Sequence, residues 1–241
     1  MSTLNNLRSE ILESLNQGHK PRLVLDLDST LFCVSPRTQF ILRQFSSSEF
    51  AKRFANDHKE ALAKIQQVST TPRDWGIGSS LIRHDVRGRL DFFEAVRLHW
   101  IQHFFSNEML VHDEPYEGAV EFVLDCHQKG AHIGYLTGRD VPRMGTGTLE
   151  QLKRWGLPLD DPEDLQMKPH TGLDDIDYKV GFFSHLDGDL SRTWFVDNEP
   201  TILHAVAERI PQVNIVYADT VHSGRQQPSS NWPKIGYKWK V

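Results

Sequence analysis

The chain has 241 residues, of which 39% are hydrophobic and 24% charged, and its formal net charge is −5. A chain of this composition can bury a core that offsets its ordering entropy, which excludes a disordered or low-complexity protein. The negative charge also disfavours a nucleic-acid partner, because proteins that hold a phosphate backbone carry an excess of Lys and Arg.

The predicted elements alternate between short apolar strands and longer helices. An opening helix, with Leu4, Leu7 and Ile11 at helical spacing, ends before Gly18. The predicted strands are Leu23–Leu25, His132–Leu136, Leu165–Met167, Trp194–Asp197 and Val213–Tyr217. The other core helices are Tyr116–Lys129, Thr148–Trp155, Asp175–Leu186 and Thr201–Ile210. Because such alternation forms right-handed βαβ units, we predict an α/β fold with a doubly wound parallel sheet.

Residues 34–113 interrupt this alternation. Ser48–Val68 and Asp91–Leu110 both have the apolar spacing of helices, and no strand pattern separates them. We therefore predict an inserted, mainly α-helical module at residues 34–113, within a core made of residues 1–33 and 114–241.

The two cysteines, Cys33 and Cys126, lie far apart and form no CxxC pair. This argues against a disulfide scaffold or a structural zinc site and favours a reducing compartment. No apolar run approaches the ~20 residues that a membrane span needs, and charged residues interrupt the N-terminal segment. We expect a cytoplasmic protein with no membrane partner.

Polar residues collect at the carboxyl ends of the predicted strands. Asp26 and Asp28 close the first strand, and Thr137 closes the second. Asp197 closes the fourth, and Lys179 lies in the helix that precedes it. Each position alone is equally well explained by a turn or a helix cap. Together they predict one site, because ligands of an open parallel sheet bind beyond these strand ends.

These residues stand in motifs that resemble those of the haloacid dehalogenase superfamily, whose members are mostly phosphatases. The family's DxDx[TV] motif matches Asp26-Leu27-Asp28-Ser29-Thr30. Its second motif, a hydrophobic strand that ends in Thr or Ser, matches residues 133–139. Its lone Lys matches Lys179, and its fourth motif matches residues 195–200. The four motifs keep the family's order, and the resemblance implies a Rossmann-like core with a helical cap between the first two motifs.

The resemblance also implies a reaction, the Mg²⁺-dependent hydrolysis of a phosphomonoester through an aspartyl-phosphate. Asp26 would be the nucleophile. Asp28 would protonate the leaving group and then activate water, a role that a haloacid dehalogenase does not need and a phosphatase does. Lys179 would keep Asp26 ionised; Lys168 competes for this role, but Lys179 is placed as the family places its Lys.

Two further sets of residues follow from the resemblance. Thr137, Gly138 and Arg139 would bind the phosphoryl group of the substrate, with Thr137 also counted as catalytic.

For Mg²⁺, the expected ligands are Asp26, the backbone carbonyl of Asp28, and Asp197. Asn198 occupies a position where many relatives carry a second acidic residue. Either Asn198 or the neighbouring Glu199 would complete the metal site.

The expected substrate is a small phosphate ester, because a cap between the first two motifs resembles those of relatives that act on small metabolites.

Two alternatives stay open. A protein or polynucleotide phosphatase is favoured by the Asp197-Asn198 pair and disfavoured by the size of the insert. A non-catalytic relative that binds a phosphorylated ligand is disfavoured by the intact motifs. A receiver domain, which also uses a phosphorylatable Asp, is disfavoured because such domains have no second Asp two residues after it, where this chain has Asp28.

Overall fold

Two units make up the residues that the computed structural model describes, which are 3–240. The core unit contains the chain up to Phe32 and from Pro115 onward, and the inserted unit contains Cys33–Glu114. The inserted unit begins and ends one residue outside the predicted module. Among the described residues, no helix is long and apolar enough to cross a membrane.

The strands are β1 Arg22–Leu25, β2 Phe32–Cys33, β3 Glu114–Pro115, β4 His132–Asp140, β5 Leu165–Lys168, β6 Thr193–Asp197, β7 Asn214–Ala218 and β8 Lys234–Ile235. The α-helices are α1 Thr3–Asn16, α2 Ser35–Phe45, α3 Glu49–Lys52, α4 Lys59–Gln66, α5 Gly78–Arg83, α6 Leu90–Phe104, α7 Ala119–Gln128, α8 Val141–Arg154, α9 Asp175–Ser184 and α10 Pro200–Arg209. Short 3₁₀ helices cover Asn107–His112, Pro162–Asp164 and Leu190–Arg192.

A six-stranded parallel sheet forms the centre of the core unit, in the order β5-β4-β1-β6-β7-β8. The central strand β1 is apolar and fully buried over Leu23–Leu25, as expected of a parallel strand covered on both faces. Helices flank the sheet, which confirms the predicted α/β fold with a Rossmann-like doubly wound parallel sheet.

The second strand is longer at its carboxyl end than the predicted His132–Leu136. β4 continues past Leu136 to Asp140, and its pairing with β5 is irregular between Thr137 and Asp140. A Thr-Gly-Arg sequence is typical of a turn, but here strand pairing overrides that local preference. Asp140 then caps α8 by accepting a hydrogen bond from the Arg143 amide, so this helix begins seven residues before the predicted Thr148.

The helices of the inserted unit also differ from those predicted. The segment Ser48–Val68 was predicted as one helix, but α3 and α4 are separate. The Asn56-Asp57 pair lies between them, and both residue types favour turns over helix interiors. α2 was not predicted, although Pro36 in its first turn is a helix-start signal.

The inserted unit has an apolar core of its own, in which Phe92 is fully buried. Its ring lies 5.9 Å from that of Phe45 and 5.3 Å from that of Phe54, both edge-on. A buried ion pair accompanies this core: Nε of Arg37 lies 2.8 Å from Oδ1 of Asp113, and both side chains are fully buried. The Arg37 guanidinium also donates to the Phe104 carbonyl at 3.0 Å.

Replacing Asp113 with asparagine is expected to lower the free energy of unfolding of the inserted unit by about 3–5 kcal/mol, because the Arg37 charge stays buried without its facing carboxylate. Denaturant unfolding measures the change. Glu94→Gln is the matched control, since Glu94 pairs with Arg97 at the surface and such pairs contribute about 0.2–1 kcal/mol. Equal losses in the two variants would contradict the expectation.

Candidate active site

Asp26, Thr137 and Asp197 lie on or directly after the three central strands, near the carboxyl edge of the sheet. β1 lies between β4 and β6, and Leu25 pairs with Val196. Asp26, directly after β1, therefore lies beside Asp197, the last residue of β6, and its amide donates to the Val196 carbonyl at 2.9 Å. Thr137 lies on the neighbouring strand β4 and is buried.

Lys179 joins the two buried carboxylates. Its Nζ lies 2.7 Å from Oδ1 of Asp26 and 2.7 Å from Oδ2 of Asp197, and all three side chains are buried. Helix α9 carries Lys179, and the Asp174 side chain caps the start of that helix. Lys168 is not brought to this group, because its Nζ bonds the carboxylate of Asp175 at 2.6 Å.

The charges at this centre are strongly coupled. Burial raises the pKa of Asp26 to about 7, against the opposing effect of the Lys179 ammonium. Burial also raises the pKa of Asp197. Burial alone would lower the pKa of Lys179, but the two carboxylates raise it above its usual range. One ammonium therefore faces two buried carboxylates, and the centre favours a further positive charge.

Thr30 and Asn198 complete the polar surroundings of Asp26. The Thr30 hydroxyl lies 3.0 Å from Oδ2 of Asp26 and 3.1 Å from Oδ1 of Asn198. Because a hydroxyl has one proton, it donates to one of these oxygens at a time. The Asn198 amide donates to the Val221 carbonyl at 2.6 Å, which turns Oδ1 of Asn198 toward the site.

Glu199, the other residue considered for the metal site, is engaged elsewhere. Its Oε1 accepts from the hydroxyls of Ser223 at 2.7 Å and Thr201 at 3.1 Å, and its Oε2 accepts from the Ser223 amide at 3.0 Å. Both oxygens therefore hold the loop after β7. The geometry favours Asn198 as the residue that faces Asp26.

Gly138 and Arg139 have different surroundings. A Cβ atom placed on Gly138 would lie 3.1 Å from the Asp175 carboxylate, so the site has little room for a side chain there. The Arg139 guanidinium, which is predicted to bind substrate, contacts Asp28: Nη2 lies 2.6 Å from Oδ1, and Nε lies 3.2 Å from Oδ2.

Three further residues contact the motif residues, and no sequence motif predicts them. Thr148 and Gln151 bond the Arg139 guanidinium from α8. Thr220 donates to the carbonyl of Ser29, a residue with a positive φ of 61°. All three belong to segments with ordinary composition, and only the folded chain brings them to the motif residues. Thr30 belongs to the first motif, but the motif alone predicts no role for it.

A family model described as haloacid dehalogenase-like hydrolase matches residues 22–214. The chain belongs to this family of hydrolases. The match covers β1 through the start of β7, and so includes Asp26, Asp28, Thr137, Lys179, Asp197 and Asn198.

Solved structures share the fold of this haloacid dehalogenase-like hydrolase at low sequence identity. A haloacid dehalogenase superfamily hydrolase of subfamily IA from Geobacter sulfurreducens PCA is 15% identical, with a TM-score of 0.50 over 84% of this chain and 90% of that one. A protein described as a predicted phosphoglycolate phosphatase, from Haemophilus somnus 129pt, is 12% identical, with a TM-score of 0.51 over 91% of this chain and 95% of that one. The protein described as HAD-hydrolase YfnB from Bacillus subtilis, solved with magnesium, is 12% identical, with a TM-score of 0.50 over 90% and 94%. A comparison with curated proteins finds no significant match.

The donors in this hydrolase suit magnesium better than zinc. Within residues 3–240, no group of three or more His, Cys, Asp or Glu side chains could hold a metal ion. The available donors are the carboxylates of Asp26 and Asp197 with the amide oxygen of Asn198. These are hard oxygen ligands, and Mg²⁺ commonly takes only one or two carboxylates while water and substrate phosphate fill its other positions. The residues therefore fit the ion that the resemblance implies.

Proposed function

We propose that this hydrolase is a Mg²⁺-dependent phosphomonoesterase that works through an aspartyl-phosphate on Asp26. The observation that carries the proposal is the buried centre in which Lys179 lies 2.7 Å from both Asp26 and Asp197. A nucleophilic carboxylate paired with the Lys179 ammonium, beside a phosphate-binding threonine, Thr137, suits phosphoryl transfer. Asp28 supplies the acid and base at the edge of the same site.

The reaction has two halves. In the first, a carboxylate oxygen of Asp26 forms a bond to phosphorus as the bond from phosphorus to the leaving oxygen breaks, and the proton of Asp28 passes to that oxygen. In the second, Asp28 takes a proton from water, whose oxygen bonds to phosphorus and releases Asp26 and inorganic phosphate. Thr137 and the Gly138 amide hold the phosphoryl oxygens.

Asp26, Asp197, the side-chain oxygen of Asn198 and the backbone carbonyl of Asp28 would hold Mg²⁺. When bound, the ion neutralises negative charge on the phosphoryl oxygens. The Lys179 ammonium contacts both carboxylates and favours their ionised forms.

The substrate that we propose is a small phosphorylated metabolite, with residues 34–113 as a cap on the core of residues 1–33 and 114–241. Two observations support this. The inserted unit has its own apolar core, as a module that moves as one piece needs. A protein of similar fold is described as a predicted phosphoglycolate phosphatase.

The proposal is tested by phosphate release from 4-nitrophenyl phosphate and a panel of small phosphate esters at neutral pH. We expect turnover with Mg²⁺, no turnover with EDTA, and recovery when Mg²⁺ is restored in excess. If the folded protein with saturating Mg²⁺ hydrolyses no ester in the panel, the proposal is wrong, and binding of inorganic phosphate then tests the non-catalytic alternative.

A further inference from the structure

We propose that Arg139 is a positioning residue for Asp28, anchored in turn by Thr148 and Gln151, and that it does not bind the substrate. The inference rests on the proposed function, since it concerns how the acid and base of that reaction is held. The two anchoring residues, Thr148 and Gln151, belong to α8 and lie outside the four family motifs.

The first contact is a two-pronged ion pair. Nη2 of Arg139 donates to Oδ1 of Asp28 at 2.6 Å, and Nε donates to Oδ2 at 3.2 Å. This is the planar geometry in which a guanidinium binds both oxygens of one carboxylate, and it fixes orientation as well as distance. The Arg139 side chain is 1% exposed and that of Asp28 27% exposed, so solvent reaches Asp28 but hardly reaches Arg139.

The second contact fixes the guanidinium from the opposite side. Nη1 of Arg139 donates to Oε1 of Gln151 at 2.8 Å and to the hydroxyl of Thr148 at 3.1 Å. Both partners are buried on α8, a helix that begins directly after the strand that carries Arg139. All three guanidinium nitrogens therefore donate within the protein. Turning toward a substrate phosphate would break hydrogen bonds in a buried site, which is costly.

The Asp28 side chain lies where the chain has left β1. The next residue, Ser29, has a positive φ of 61°, so the chain turns sharply away from the strand directly after Asp28. A partly exposed carboxyl group at such a turn has several rotamers open to it, and proton transfer requires one of them. The Arg139 contacts to both Asp28 oxygens favour one orientation of that group.

This role predicts a selective effect on substrates. In the first half-reaction the Asp28 proton passes to the leaving oxygen as the bond from phosphorus to that oxygen breaks. Phenolate needs this proton more than 4-nitrophenolate does, because 4-nitrophenolate is the more stable anion. Misplacing Asp28 should therefore slow phenyl phosphate hydrolysis much more than 4-nitrophenyl phosphate hydrolysis. Losing a phosphate-binding group would slow both equally.

The experiment compares kcat/KM for these two esters in wild-type protein, Arg139→Lys and Gln151→Met. Lysine keeps the charge but cannot bind both oxygens of Asp28 in one plane. We expect a loss of about 10- to 100-fold on phenyl phosphate with Arg139→Lys, within the range that general acid catalysis supplies. The loss on 4-nitrophenyl phosphate should be much smaller, and the inhibition constant of inorganic phosphate should not change. Gln151→Met should also lower kcat/KM for phenyl phosphate more than for 4-nitrophenyl phosphate, with smaller losses than Arg139→Lys.

Arg154→Lys, in the last turn of the same helix, is the matched control and should leave both esters unaffected. Equal losses on the two esters, with weaker inhibition by inorganic phosphate, would show that Arg139 binds substrate and overturn the inference. If Arg139→Lys does not fold, Gln151→Met decides, and unchanged kinetics in that variant overturn the inference. Absence of wild-type turnover on both esters would instead reject the proposed function on which the inference rests.

Discussion

Replacing Asp26 with asparagine is expected to reduce phosphate release by at least ~10³-fold, because an amide cannot form the aspartyl-phosphate. The variant also loses one of two carboxylates available to Mg²⁺. Glu121→Gln, an exposed change on α7, is the control and should retain full activity. If Asp26→Asn keeps more than about a tenth of the wild-type kcat, Asp26 is not the nucleophile.

The same variant is expected to be more stable than the wild type in EDTA, by up to about 4 kcal/mol at pH 8. Burial raises the pKa of Asp26 from its ordinary 3.8 to about 7. Between these values the folded protein binds more protons than the unfolded chain, so wild-type stability falls as pH rises from about 4 to about 7. Asp26→Asn lacks this titration.

Thermal unfolding of both proteins in EDTA at several pH values measures the difference. The advantage of Asp26→Asn should be small near pH 4, grow as the pH rises and level off above pH 7. A variant that is less stable than the wild type at pH 8 would contradict the assignment of Asp26 as a charge buried at a cost to folding.

Replacing Lys179 with methionine is expected to have the second large effect. It leaves Asp26 and Asp197 facing each other without the ammonium that lies 2.7 Å from each. We expect kcat/KM to fall by about 10²–10³-fold, as when a preorganised charge is removed from an active site. The free energy of unfolding should fall by about 3–5 kcal/mol, because a buried ion pair is broken from one side.

Lys168→Met is the matched control for this change. Lys168 is also mostly buried, but its Nζ bonds Asp175 and the Leu173 carbonyl. Its replacement should therefore reduce kcat/KM far less than that of Lys179. Equal losses of kcat/KM in the two variants would contradict the assignment of Lys179, and not Lys168, as the lysine of the active site. Should Lys179→Met fail to fold, Lys179→Arg keeps the charge and still alters its distance from the carboxylates.

The sequence predicts the centre of the site because a fully buried parallel strand is readable from its composition. The apolar run Leu23–Leu25 ends in carboxylates, and strand ends converge at one edge. The extension of β4 through Arg139 was not predictable, because Thr-Gly-Arg has turn propensity and only pairing with β5 extends the strand.

The choice between Asn198 and Glu199 also needed the folded chain. They are the first two residues after β6, and their positions in the sequence do not show which side chain lies beside Asp26. The loop after β7 decides between them, since Ser223 binds the Glu199 carboxylate while Val221 orients the Asn198 amide. Contacts between segments that are distant in the chain leave no local pattern to read.

The most direct test of Asp26 as the nucleophile is to trap the covalent intermediate. Wild-type protein is mixed with 4-nitrophenyl phosphate and Mg²⁺, quenched in acid during turnover and treated with borohydride, which reduces an acyl phosphate to the alcohol. Peptide mass spectrometry should then find homoserine at position 26, and at no other aspartate. Turnover with position 26 unmodified, or with the modification at another aspartate, would contradict the assignment of Asp26 as the nucleophile.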